Sequence, residues 1–161
     1  VARKKKASDT KTQDRPIASN RRAFYNYEIL DRYEAGLVLK GTEIKSLRAG
    51  RADLRDGYAR PQNGELWLVN TYIAPYDPAS IYNHDPRRPR KLLMHREQID
   101  KLKSLVAEKR LTIVPLRLYI KNHVAKVELG LAQGKRQYDK RRAIMEKELD
   151  KAARRSMRSM R

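Results

Sequence analysis

The chain has no cysteine at all, and that one absence closes several routes together. Disulfides, thiolate zinc sites and cysteine nucleophiles are excluded, and the composition fits a reducing compartment. Histidine is almost as scarce: only His84, His95 and His123 are present, and none has a second histidine or a cysteine at metal-ligand spacing. The seven glycines never cluster into a phosphate-cradling loop, and no serine sits in a nucleophile elbow. No apolar run approaches the roughly 20 residues of a spanning helix. The first residues carry charge without the apolar stretch of a secretory signal, so a cytoplasmic protein is expected. Acidic residues are few relative to basic ones, 19 against 38, which leaves a net charge of +19 over 161 residues. Self-repulsion on that scale disfavours compaction and promotes binding to polyanions. Nucleic acid is therefore the expected partner, and neither basic end has an apolar face suited to a membrane.

One domain of ordinary size fits this length. Residues 1–19 read as a basic flexible arm, with Arg3, Lys4, Lys5 and Lys6 mutually repelling. Residues 20–132 carry the pattern of a fold. A first strand is expected from Phe24 to Tyr33, interrupted at Glu34-Ala35-Gly36 and resumed at Leu37-Val38-Leu39. Gly41 to Gly50 predicts a short helix, with Thr42 as a cap, Gly50 as the stop and Lys45 and Arg48 on one basic edge. Asp56 to Arg60 and Glu65 to Val69 flank Asn63-Gly64, a hairpin signal, with the second strand running on to Pro75. Trp67 suits the core or the rim better than a stacking platform. Four prolines make 75–91 a loop, basic in its second half through Arg87, Arg88, Arg90 and Lys91. Ile99, Leu102 and Leu105 stripe a core-packing helix over 95–109. Two strong strands, 111–120 and 124–131, meet at Asn122-His123; Pro115 belongs at an edge or bulge.

Six or so short antiparallel strands and two helices predict a mainly β fold, a closed barrel of the oligonucleotide-binding (OB) type, with an SH3-like barrel as the alternative. Residues 133–161 form a basic tail, read as disordered when free and helical along RNA. Tyr138 lies in it among Lys135, Arg136, Lys140, Arg141 and Arg142, cations for phosphate around a ring that can stack on a base. Scattered carboxylates such as Glu34, Glu43 and Asp56 are candidates for an acid–base pair, and nothing in the sequence brings them together. No enzyme, cofactor or metal is expected.

An ordered set of segments resembles the SsrA-binding protein (small protein B) family: Asn20-Arg21-Arg22-Ala23, Glu34-Ala35-Gly36, Gly41 to Arg48, Asn83-His84-Asp85-Pro86, Arg90-Lys91-Leu92-Leu93 and Gly134 to Arg141. The resemblance implies an OB-type barrel that binds the tRNA-like domain of transfer-messenger RNA in trans-translation. It implies delivery of that RNA, with elongation factor Tu and GTP, to stalled ribosomes, where the tail enters the decoding centre of 16S rRNA and the empty mRNA channel. Carried over by position, Asn20, Tyr25, Glu34, Leu93 and Lys126 would face the RNA, with Arg21, Arg22, Lys45, Arg48, Arg90 and Lys91 as neighbouring cations. Many relatives have histidine at Tyr25. Glu34 would accept from a base edge or brace a nearby cation, and Leu93 would pack on sugar or base, or in the core. Gly134, Lys135, Arg136, Tyr138, Asp139, Lys140 and Arg141 would form the decoding-centre group, with Gly134 as a swivel; the distal tail, with Met157 and Met160, departs most from the family. Charge alone leaves a ribosomal or general rRNA-binding protein as the alternative.

Overall fold

Alternation in the last hairpin sets the frame. In the computed structural model, which describes residues 15–77, 81 and 83–159, Thr112–Lys121 (β8) and Val124–Gly134 (β9) pair around Asn122 and His123. Both turn residues have positive φ, 50° and 63°, as a two-residue type I′ turn requires. Ala125, Val127, Leu129 and Leu131 are buried on one face of β9, while Lys126 and Glu128 look outward. Pro115 has no amide hydrogen to give the ladder, and the register slips between it and Arg117, as expected of a bulge. The slip seats Leu116 in a second small core with Ala23, Val114 and Ala132.

The remaining strands are Ala18–Ser19 (β1), Tyr27–Leu37 (β2), Ala52–Asp53 (β3), Tyr58–Gln62 (β4), Glu65–Val69 (β5), Tyr72–Ile73 (β6) and Arg90–Leu93 (β7). All pairings are antiparallel: β9 with β2, β2 with β7, β7 with β5, β5 with β4, and β4 with β8 through Ala59 and Ile113. Strand β1 adds to β8, and β3 pairs with β6 as a separate two-stranded sheet. The helices are Arg21–Asn26 (α1), Gly41–Arg48 (α2), Arg96–Lys109 (α3) and Gln137–Ser159 (α4). Leu47 of α2 and Ile99 and Leu102 of α3 enter the main core with Leu66, Leu68, Leu92 and Leu118. Each such burial is worth roughly 1.5–3 kcal/mol relative to exposure. The architecture is thus mainly β with a long C-terminal helix.

Several expectations change. Phe24-Tyr25-Asn26 is helical, because Asn20 caps the turn: its Oδ1 accepts from the Ala23 amide at 3.1 Å. Strand β2 runs unbroken through Glu34-Ala35-Gly36 and stops at Leu37; its irregularity falls between Ile29 and Asp31 instead. Gly36 is where β2 passes from β9 to β7, facing both Lys126 and Leu93, and a side chain there would come within 3.3 Å of the Leu93 Cβ. Ala18 and Ser19, assigned to the arm, belong to the sheet, and the Ile17 amide donates to Leu118 at 2.7 Å. Residues 1–14 of that arm lie outside the described residues. Strand β5 does not continue to Pro75: Asn70 turns the chain at φ 58°, and Tyr72–Ile73 leave to pair with β3. Lys40, and not Thr42, precedes α2; the Thr42 hydroxyl meets His84 Nδ1 at 2.9 Å. Helices α2 and α3, the bulge at Pro115 and the Asn63-Gly64 hairpin stand as read.

Candidate nucleic-acid interface

Two-residue closure of the β8–β9 turn forces Tyr119 opposite Lys126, and the β2–β9 register brings Glu34 beside both. The Glu34 carboxylate accepts from Lys126 Nζ at 2.7 Å on one oxygen and from the Tyr119 hydroxyl on the other. The Lys126 and Tyr119 hydrogen bonds hold its pKa below the ordinary carboxylate value, against partial desolvation. The acid therefore stays charged and braces the cation. Leu93, 53% exposed, lines the same shallow cleft with Gly36, Met94, His95 and Gln98. An outward leucine, an oriented ammonium and a carboxylate on an open sheet face can hold one sugar–base unit and its phosphate.

Other expected RNA-facing residues lie elsewhere. Asn20 is only 2% exposed, and its amide donates to Leu54 and Pro115 carbonyls at 3.1 and 3.0 Å while capping α1. Those bonds use both of its donors, so Asn20 serves as a structural cap. Arg90 is wholly buried, donating to Glu43 at 2.8 Å, to the Thr71 carbonyl at 2.6 Å and to Pro86 at 3.0 Å. Its guanidinium is fully desolvated and held by three fixed acceptors, so its charge is spent inside the fold. Arg88 also donates to Glu43 at 2.8 Å, and the Lys40 amide adds a further bond at 2.7 Å. Burial pushes the Glu43 pKa up, but the hydrogen bonds from Arg88, the Lys40 amide and Arg90 outweigh it and the net shift is downward. Sequence reasoning missed this trio because partners 45 and 47 residues apart leave no local pattern. Tyr119 was missed too, although counting back from the Asn122-His123 turn would have placed it opposite Lys126.

Arg21 and Arg22 are exposed on α1, with Arg22 3.6 Å from Asp56. Lys45 stands over the Tyr76 ring at 5.3 Å, Arg48 is exposed, and Lys91 pairs with Glu65 at 2.7 Å. Tyr25 sits just before Tyr27, and the seven steps of strand from there to Glu34 span roughly 23 Å. The structure thus separates Tyr25 from the Glu34–Lys126 cleft and sets it beside the tail, with Lys140 over its ring at 5.9 Å. Glu34, Glu43 and Asp56 each face a cation and do not converge.

Gly134 closes β9 in register with Tyr27. Its position in the ladder moves the change of direction to Lys135 and Arg136: the Lys135 amide donates to Asn26 at 2.9 Å and its Nζ to the Phe24 carbonyl at 3.1 Å. Gln133 and Gly134 therefore extend the folded sheet rather than begin the tail. Tyr138 is 74% exposed on the first turn of α4, with Arg136, Asp139 and Arg141 also exposed. No described residue of α4 is buried, and Met157 is open to solvent; Met160 lies outside the described residues. The helix projects a cationic surface around one free aromatic ring. His84, buried between Thr42 and the Ile73 carbonyl, has both ring nitrogens engaged. A carbonyl only accepts, so Nε2 donates to Ile73; in the neutral ring that leaves Nδ1 to accept from the Thr42 hydroxyl.

The comparisons with known proteins cover the same span as this geometry. The family model described as SmpB protein matches residues 17–159. The chain is 55% identical over 161 residues to the SsrA-binding protein of Thermobifida fusca, covering all of both chains. It is 54% identical over 142 residues to that of Carboxydothermus hydrogenoformans, covering 86% of this chain and 95% of the relative. A solved chain from work described as "tmRNA-SmpB: a journey to the center of the bacterial ribosome" superposes with a TM-score of 0.64 at 52% identity, over 78% of this chain and 92% of the other. Whole-length matches at this level, running from Ile17 through the exposed helix α4, establish that the chain belongs to the SmpB protein family.

Proposed function

We propose that this protein is a non-catalytic RNA-binding adaptor of trans-translation, which binds the tRNA-like domain of transfer-messenger RNA and delivers it to stalled ribosomes. One observation carries the reading: the acid-braced Lys126 beside exposed Leu93, in a chain sharing over half its residues with an SsrA-binding relative along its whole length. Glu34, Leu93 and Lys126 are the RNA-contacting core, with Tyr25, Arg21 and Arg22 engaging the nucleic acid nearer the tail. Lys135, Arg136, Tyr138, Asp139, Lys140 and Arg141 serve the decoding centre, and α4 the empty mRNA channel, with Tyr138 stacking on a ribosomal base. Elongation factor Tu with GTP completes the delivery complex, and the setting is the cytoplasm. In this reading 1–19 is an arm whose last residues dock on the sheet, 20–132 the RNA-binding domain and 133–161 the tail, whose first two residues, Gln133 and Gly134, stay paired in the sheet.

For the fold we propose the OB type. The pairings pass in a circuit from β8 through β9, β2, β7, β5 and β4 back to β8, which favours a closed barrel. Native purification tests the function. A single dominant co-purifying RNA with a tRNA-like end is expected; recovery of bulk rRNA in stoichiometric subunits alone would overturn the reading in favour of a structural ribosomal protein.

A further inference from the structure

Strand alternation divides the β4–β5–β7 sheet cleanly. Ala59, Leu66, Leu68 and Leu92 point into the core, so Arg60, Trp67 and Lys91 occupy the opposite, outer face. The register places these three directly across from one another, Arg60 with Trp67 and Trp67 with Lys91. Side chains so paired lie about 4.5–5.5 Å apart at Cβ. Trp67 is half-buried yet belongs to neither hydrophobic cluster. The single tryptophan of the chain has therefore been placed between two cations on an outer sheet face.

Next to it is a cavity of about 230 Å³, lined by Arg60, Gln62, Asn63, Glu65, Trp67 and Pro89. Lys91 Nζ lies 2.7 Å from Glu65 Oε1. That pair repeats the arrangement of Lys126 with Glu34, also 2.7 Å, beside its own ring, Tyr119. Lys91 and Leu93 point the same way from β7, two residues or roughly 7 Å apart, so the two features share one continuous face. A ring between cations, a carboxylate with one oxygen already committed to the neighbouring lysine, and two amides at the rim are the ingredients of a nucleobase pocket. Stacking supplies a sequence-tolerant contact, Arg60 and Lys91 take phosphate, and the second Glu65 oxygen can accept from the exocyclic amino group of adenine or cytosine.

We propose that Trp67, Arg60, Lys91 and Glu65 form a second RNA subsite that stacks an unpaired, amino-bearing base, extending the Glu34–Leu93–Lys126 cleft along the outer face of β7. The inference deepens the RNA-binding reading above and rests on it. Because Trp67 is the only tryptophan, its emission reports the subsite directly. Full-length protein is titrated with octa-adenylate, following tryptophan emission and, in parallel, anisotropy of the end-labelled oligomer.

Saturable quenching that tracks the anisotropy curve is expected. Trp67→Ala should weaken binding about five-fold or more, Trp67→Phe should recover most of that loss, and Arg60→Gln should weaken binding with a smaller salt slope. Unchanged emission at saturation, or an affinity for transfer-messenger RNA within two-fold of wild type in Trp67→Ala, overturns the subsite while leaving the adaptor reading intact. Failure of the wild-type chain to bind transfer-messenger RNA at all would instead overturn the reading on which the subsite rests.

Discussion

Glu34 and Glu43 are both acids facing cations, yet burial gives them opposite uses. Glu43 is fully buried against Arg90, with the partly exposed Arg88 at its edge, so removing its charge strands the Arg90 guanidinium in a site closed to water. Glu43→Gln should cost about 3–5 kcal/mol, read as a lower urea midpoint at an unchanged slope. Glu34 is half-exposed, so Glu34→Gln should change the midpoint little, by about 1 kcal/mol or less. Its effect should appear in RNA affinity, because an unbraced Lys126 loses its aim. The pH dependence has a defined sign. Both folded-state pKa values lie below the ordinary 4.5, so each carboxylate contributes stability fully above that value. The contribution is lost as pH falls through the lowered folded value. Urea midpoints compared between pH 7 and pH 3 should therefore drop, and the gap between wild type and Glu43→Gln should narrow toward acid.

At the scale of elements, the division runs between a packed sheet and an unpacked helix. Strand β9 contributes Ala125, Val127, Leu129 and Leu131 to the core, and Leu129→Ala should cost about 2–5 kcal/mol through cavity formation. Helix α4 contributes no buried residue, so ending the chain after Gly134 should lower stability by no more than about 1 kcal/mol, through the lost Lys135 bonds to Asn26 and Phe24. Under the adaptor reading the same truncation leaves transfer-messenger RNA binding nearly intact and abolishes peptide tagging on stalled ribosomes. A loss of RNA affinity as large as that of Glu34→Ala would refute this division of labour. The cut must fall after Gly134 rather than before Gln133, since both residues pair with β2.

Across the whole molecule, a formal charge of +19 makes RNA affinity steeply dependent on salt. Each phosphate contact removed should lower the slope of log K against log salt by roughly 0.7 to 0.9. Lys126→Gln should show that decrement, whereas Arg90→Met, whose side chain is buried beside Glu43, should leave the slope unchanged while altering stability. A filter-binding series from 50 to 300 mM salt, with mutant folding verified first, separates surface cations from buried ones. Net charge by itself cannot make that distinction.

What the sequence determined alone is local and periodic. Period-two alternation placed Val127, Leu129 and Leu131 inside and Lys126 outside, and turn chemistry at Asn63-Gly64 and Asn122-His123 placed two hairpins. The stripe of α3, the bulge at Pro115 and the motif set that marks the family were legible for the same reason, since each is written within a few adjacent residues. Helix α1 was missed although its signal was local: aromatic residues suggested a strand, while the Asn20 cap and the packing of Ala23 under Leu116 favoured the helix. Only the tertiary structure decided which charges are accessible. It buried Arg90 on Glu43, tied Asn20 into the backbone, moved Tyr25 away from Lys126 and set Trp67 between Arg60 and Lys91. Desolvation and cross-strand register depend on partners tens of residues away, and a charge or a ring carries no mark in the chain of the neighbour it will meet.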